Sequence, residues 1–165
     1  MVTQEINLKI HEEDELFSPY DPQKKLLSED VLSYLERNYI NKHRHLHDQF
    51  TIRIYSDTPV NEKTVKERFA NYFTQEMDNT SYLLKQLTKK QIYLIIFGVV
   101  LLMIWVIMSL NLDDPVGEEI VSIMGWVAIW EATSIAIMQR PELLLTKKTY
   151  EHFITAPITI DIVSE

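Results

Sequence analysis

Gln91-Ile-Tyr-Leu-Ile-Ile-Phe-Gly-Val-Val-Leu-Leu-Met-Ile-Trp-Val-Ile-Met-Ser-Leu-Asn-Leu112 contains no charged residue. The stretch from Ile120 to Met138 is nearly as apolar and carries one charge, Glu131. A helix rises about 1.5 Å per residue, so about 20 residues cross the ~30 Å of hydrocarbon in a bilayer. Both stretches are long enough. The residues between them, Asp113 to Glu119, hold a Pro-Val-Gly turn signal and four carboxylates. The expected arrangement is a transmembrane helix over 91–112, a short external loop over 113–119 and a second transmembrane helix over 120–138. The competing reading is a buried helical hairpin of a soluble protein. Soluble core helices seldom run this far without a charge, which favours the membrane.

Working outward, the charges orient this hairpin. Lys85, Lys89 and Lys90 precede the first stretch, and Arg140, Lys147 and Lys148 follow the second. The loop between has acids and no Lys or Arg. Basic residues stay on the cytoplasmic side, so both termini of this multi-pass protein are expected in the cytoplasm. The first thirty residues lack the apolar core of a signal peptide, so the first span is expected to act as an internal signal-anchor. A mean hydropathy of -0.10 averages two apolar blocks with charged flanks. The net charge of -8 argues against a nucleic-acid partner, which needs a basic face. The chain has no cysteine, so disulfides, thiolate nucleophiles and zinc-thiolate sites are excluded.

The flanks read as a small α+β domain. Ile6-Asn7-Leu8-Lys9-Ile10, Phe50-Thr51-Ile52-Arg53-Ile54-Tyr55 and Ile158-Thr159-Ile160-Asp161-Ile162 alternate apolar and polar residues. Period two with β-branched residues predicts half-buried strands near 6–10, 50–55 and 158–163. Helices are expected near 28–40, with Ser28 as cap, and near 59–90, opened by Asp57-Thr58-Pro59. Asp78-Asn79-Thr80-Ser81 is a candidate break in the second. Pro141 is expected to interrupt a helix or start a new one before a short helix from Leu143 to Phe153. Residues 1–90 would thus form the cytoplasmic α+β part, and the tail 139–165 would return its strand to a three-stranded sheet with covering helices. The transmembrane hairpin is then an insertion into that domain. Two unrelated tails are the alternative, but each strand alone leaves an apolar face without a partner.

Among single residues, Glu131 says most. Its depth in an antiparallel hairpin matches Gly98 to Val100, which offer no donor side chain. It is expected to be protonated, to meet a polar group on another subunit, or to face water. Gly125, Ala128, Ala132 and Ala136 form a small-residue face that lets helices approach closely, either within the hairpin with help from Gly98 or between subunits. Trp126 and Trp130 lie opposite. His43, His45 and His47 alternate as weak candidate metal ligands, crowded by Lys42 and Arg44. The acidic run Glu12 to Glu15 lacks EF-hand spacing. Three glycines preclude a phosphate-cradling loop, and no Gly-x-Ser-x-Gly or His-Glu-x-x-His occurs. No cofactor and no enzymatic activity are expected.

The segment Ser122-Ile-Met-Gly-Trp-Val-Ala-Ile-Trp-Glu131 resembles the second membrane helix of a group of small, uncharacterised bacterial two-helix inner-membrane proteins. In these a Gly-Trp-Val-Ala-hydrophobic-Trp stretch precedes a cytoplasmic tail with a Tyr-Glu pair, here Tyr150-Glu151. Arg140-Pro141 departs from the longer aromatic stretch of that group. The resemblance implies a bacterial inner membrane and carries no activity with it. The expected function is an integral membrane interaction or scaffold protein. It would anchor a small cytoplasmic domain, with the lipid bilayer and a second copy or another membrane protein as partners. The alternative is a membrane-active effector or channel subunit using Glu131 in a water-accessible oligomer.

Overall fold

A computed structural model describes residues 4–42, 50–111 and 114–163. The chain divides into two compact units, 1–77 with 149–165, and 78–148. It is a mixed α+β protein with three strands in one sheet.

In the first unit, strands β1 (Gln4–Ile10), β2 (Phe50–Ser56) and β3 (Ile158–Ile162) lie in the order β1-β2-β3. Both pairings are parallel. Alternation alone did not specify this, because period two is common to both strand senses. Register aligns Ile6, Ile52 and Ile158 in one row and Leu8, Ile54 and Ile160 in the next. These rows build the covered face, where Ile6, Ile52 and Ile54 are fully buried. Parallel sheets are usually covered on both faces. Here the second face is polar, and Arg53 at its centre reaches Glu5 on β1 at 3.0 Å and Asp161 on β3 at 3.7 Å.

Helix α1 (Glu29–Lys42) connects β1 to β2 and buries Val31, Leu35 and Tyr39. The Ser28 hydroxyl accepts the Val31 N–H at 3.3 Å, as an N-cap does. Helix α2 (Glu62–Asn111) starts later than Asp57-Thr58-Pro59 suggests. Those residues form the turn after β2, where the Ser56 hydroxyl accepts the Thr58 N–H at 3.3 Å and donates to the Thr58 carbonyl at 2.9 Å. Asn61 is the cap instead, accepting the Thr64 N–H at 3.2 Å. Val65, Phe69, Tyr72 and Phe73 of α2 and Tyr150 and Phe153 of α4 (Arg140–Thr155) complete the core. Phe153 sits at its aromatic centre, stacked on Phe73 at 4.8 Å and edge-on to Phe50 at 5.4 Å.

Asp78-Asn79-Thr80-Ser81 does not break α2, which runs unbroken for 50 residues. No glycine or proline occurs between Pro59 and Gly98. Hydroxyls such as Thr74 and Thr88 bond to the carbonyl one turn back, at 2.7 and 2.9 Å, rather than diverting the backbone. In the second unit, α3 (Pro115–Ser134) takes up part of the expected loop. Asp114 caps it by accepting the Gly117 N–H at 3.1 Å, and Pro115 follows at the first helical position, where its missing N–H is harmless. A side chain on Gly117 would collide with the Asp114 carboxylate.

Pro141 is the second residue of α4, where α-helical bonding resumes after an interruption, but it does not break the helical run. A π-turn at Ile135–Gln139 lies just before it, with the Arg140 N–H reaching back to the Ile135 carbonyl. Proline lacks an N–H and its ring crowds the carbonyl one turn back; the widened turn absorbs both defects without a break. The helical run continues from Pro115 to Thr155. This run and α2 are both long and apolar enough to cross a membrane.

Candidate functional site: the helix seam and its ion pair

The seam between α2 and α3 is built on two glycines. A Cβ on Gly98 would lie 2.8 Å from Ile129 Cγ1, 3.0 Å from the Gly125 carbonyl oxygen and 3.3 Å from Ala128 Cβ. On Gly125 it would lie 2.9 Å from Leu102 Cδ2 and 3.3 Å from the Gly98 carbonyl oxygen. The backbones approach so closely that hydrogen is the largest substituent that fits without a shift. Ala128, Ala132 and Ile135 are buried along the same line, while Ala136 is half-buried. The small-residue face named from sequence is thus occupied within the chain. Trp126 and Trp130 remain exposed, at 61% and 76%.

Glu131 lies at one end of this seam. Lys90 Nζ approaches Glu131 Oε1 at 3.0 Å. A simple antiparallel alignment puts Gly98 to Val100, which offer no donor side chain, opposite Glu131. The structure pairs Gly98 with Gly125 and Ala128 instead, which brings Glu131 opposite the start of the charge-free run. Lys90 then reaches it with an unbranched four-carbon stem. The closest backbone contact, at Gly98 and Gly125, sets the register of the two helices, and the ends of the apolar runs do not. Lys90 was the missed residue; its position one place before Gln91 is the signal that could have found it.

A second polar cluster belongs to the sheet-bearing unit. The Tyr150 hydroxyl donates to Glu36 Oε1 at 3.4 Å. Burial, with the carboxylates of Glu36 and Glu76 nearby, pushes the Tyr72 and Tyr150 hydroxyls up to about 12. Tyr39 OH lies 3.0 Å from His152 Nδ1, and burial raises its pKa as well. Burial favours the neutral phenol in all three, and the Tyr150 hydroxyl serves as a hydrogen-bond donor. His43, His45 and His47 lie outside the described residues.

No family model, curated protein or solved structure matches the chain.

Proposed function

We propose that this chain is an integral membrane protein. In this reading the α2–α3 hairpin anchors a small cytoplasmic α+β domain that serves as an interaction or scaffold module. The observation that carries the reading is the exposure of its most apolar helices. Of the most apolar 18-residue stretch of α2, 6% is buried, and the corresponding figure for the 115–155 run is 22%. A core helix of a soluble protein would be mostly buried. Ile96, Phe97, Met103, Ile107, Trp126 and Trp130 instead form an apolar surface that water would not tolerate and lipid would. The cationic flanks favour cytoplasmic termini.

The Lys90–Glu131 pair favours an anchor over a channel subunit. Glu131 has its counterion within the chain, so it does not need a wet path or a second subunit to compensate its charge. The glycine seam is likewise used inside the hairpin, so self-association belongs to other surfaces, such as the tryptophan face of α3 or the outer edge of β3. The test is fractionation of expressing cells followed by purification. The chain should resist alkaline carbonate extraction and require detergent, and tags at both ends should be protected from protease outside intact cells. A monodisperse protein in plain buffer would overturn the anchor. Cross-linking in membranes should trap dimers or larger species; a strict monomer would remove the self-association.

A further inference from the structure

We propose that the basic end of the helical unit binds the phosphate of anionic phospholipid headgroups, with Lys85, Lys89 and Arg140 as its cationic ligands. The inference rests on the membrane reading above. The chain carries a net charge of -8, yet this end is rich in cations without carboxylate partners. Lys90 is engaged by Glu131. Among the described residues, no ion pair engages Lys85, Lys89, Arg140, Lys147 or Lys148; in the sheet-bearing unit Lys24, Lys66, Arg53 and Arg68 are paired, while Lys9, Lys25 and Arg37 are not. The Arg140 Nε is buried without a hydrogen-bond acceptor, so its guanidinium retains unused hydrogen-bonding capacity. Lys85 and Lys89 are one helical turn apart, a like-charge pairing that weakens a helix unless an anion lies between.

The surroundings select the kind of anion. An open groove of about 540 Å³ begins at Lys89 and Lys90 and is walled by Tyr93, Leu94 and Phe97. A second, of about 620 Å³, is lined by Tyr82, Lys85 and Lys89. Ammonium groups thus give way directly to an apolar wall, which fits a phosphate with an acyl chain attached better than a free phosphate. Arg140 lies about 13 Å further along its helix than Glu131, on the side away from the Asp114 turn. In the membrane reading Lys85, Lys89 and Arg140 lie at successive depths on the headgroup side of the Lys90–Glu131 pair, from which long side chains reach outward to phosphate.

The test uses the full chain in nanodiscs and the quenching of its tryptophans by brominated lipids. Brominated phosphatidylglycerol should quench at least threefold more effectively, mole for mole, than brominated phosphatidylcholine. The triple variant Lys85→Gln/Lys89→Gln/Arg140→Gln should bring the ratio to about one with unchanged helical circular dichroism. Lys85→Arg/Lys89→Arg should keep the preference, which a general loss of structure would not. Equal quenching by both lipids in the unaltered chain would overturn the proposal while leaving the anchor intact. Loss of the preference on adding millimolar inorganic phosphate at constant ionic strength would show a soluble-phosphate site and overturn it too. No quenching by either lipid, with protein recovered outside the discs, would overturn the anchor and this proposal together.

Discussion

A charge at membrane depth is tolerable when its partner travels with it. Glu131 and Lys90 are each about half-exposed, and in water such a pair contributes about 0–1 kcal/mol. In the bilayer reading the comparison changes, because an unpaired acid near a helix centre costs about 2.5–3.5 kcal/mol to insert, and less off-centre. Lys90→Met should therefore destabilise the hairpin by about 1–2 kcal/mol in detergent or nanodiscs. Lys90→Met combined with Glu131→Leu should recover most of that loss. Additive losses in the double variant would show that the pair is not coupled. In the sheet-bearing unit the titrating residues are tyrosines. Tyr72 and Tyr150 hold their protons to about pH 12, against about 10 in an unfolded chain. The folded state then binds more protons than the unfolded state between those values, so stability falls as pH rises through that window and is fully present below it. Tyr150→Phe should flatten the decline measured by denaturant titration between pH 9.5 and 11.5. An unchanged slope would mean that this hydroxyl titrates normally.

Elements show which features could be read in advance. Each strand lies where period-two alternation placed it, because one covered face imposes that pattern whatever the neighbouring strand does. Parallel pairing and strand order were not legible, since they depend on which segments the helices bring together. The continuity of α2 was missed because Asp, Asn, Thr and Ser are poor helix formers on average; within a long helix already nucleated on both sides the local penalty is too small to break it. The glycine seam was legible as a stripe of small residues, but its register, and with it the partner of Glu131, required backbone contacts. That register makes an ordered forecast. Gly98→Ala places a methyl 3.0 Å from a backbone oxygen, whereas Gly125→Ala meets chiefly the flexible Leu102 side chain. The first should cost the hairpin about 1–3 kcal/mol and the second distinctly less, read by thermal unfolding in the same detergent. The reverse order would place the tightest approach elsewhere.

At the scale of the molecule, the sheet-bearing unit is assembled from two distant pieces of chain. Residues 149–165 supply β3, Tyr150 and Phe153 to a core otherwise made by residues before 78. Phe153→Ala should lower the stability of that unit by about 3–5 kcal/mol, because it removes the ring at the aromatic centre and leaves a cavity. Limited proteolysis should then cut within residues 1–77 at rates that leave the unaltered protein whole. If the hairpin is inserted, its helices should stay protected in the same digest.

This discontinuity also sets an order of events during synthesis. A nascent chain that has emerged only as far as residue 148 has no third strand and no Phe153, so its first domain cannot close. Completion must wait for the segment that follows the second apolar run. A polypeptide stalled between the two runs would present unfinished strands to proteases and chaperones. In the membrane reading, delivery to lipid and closing of the sheet-bearing unit become consecutive through chain connectivity alone.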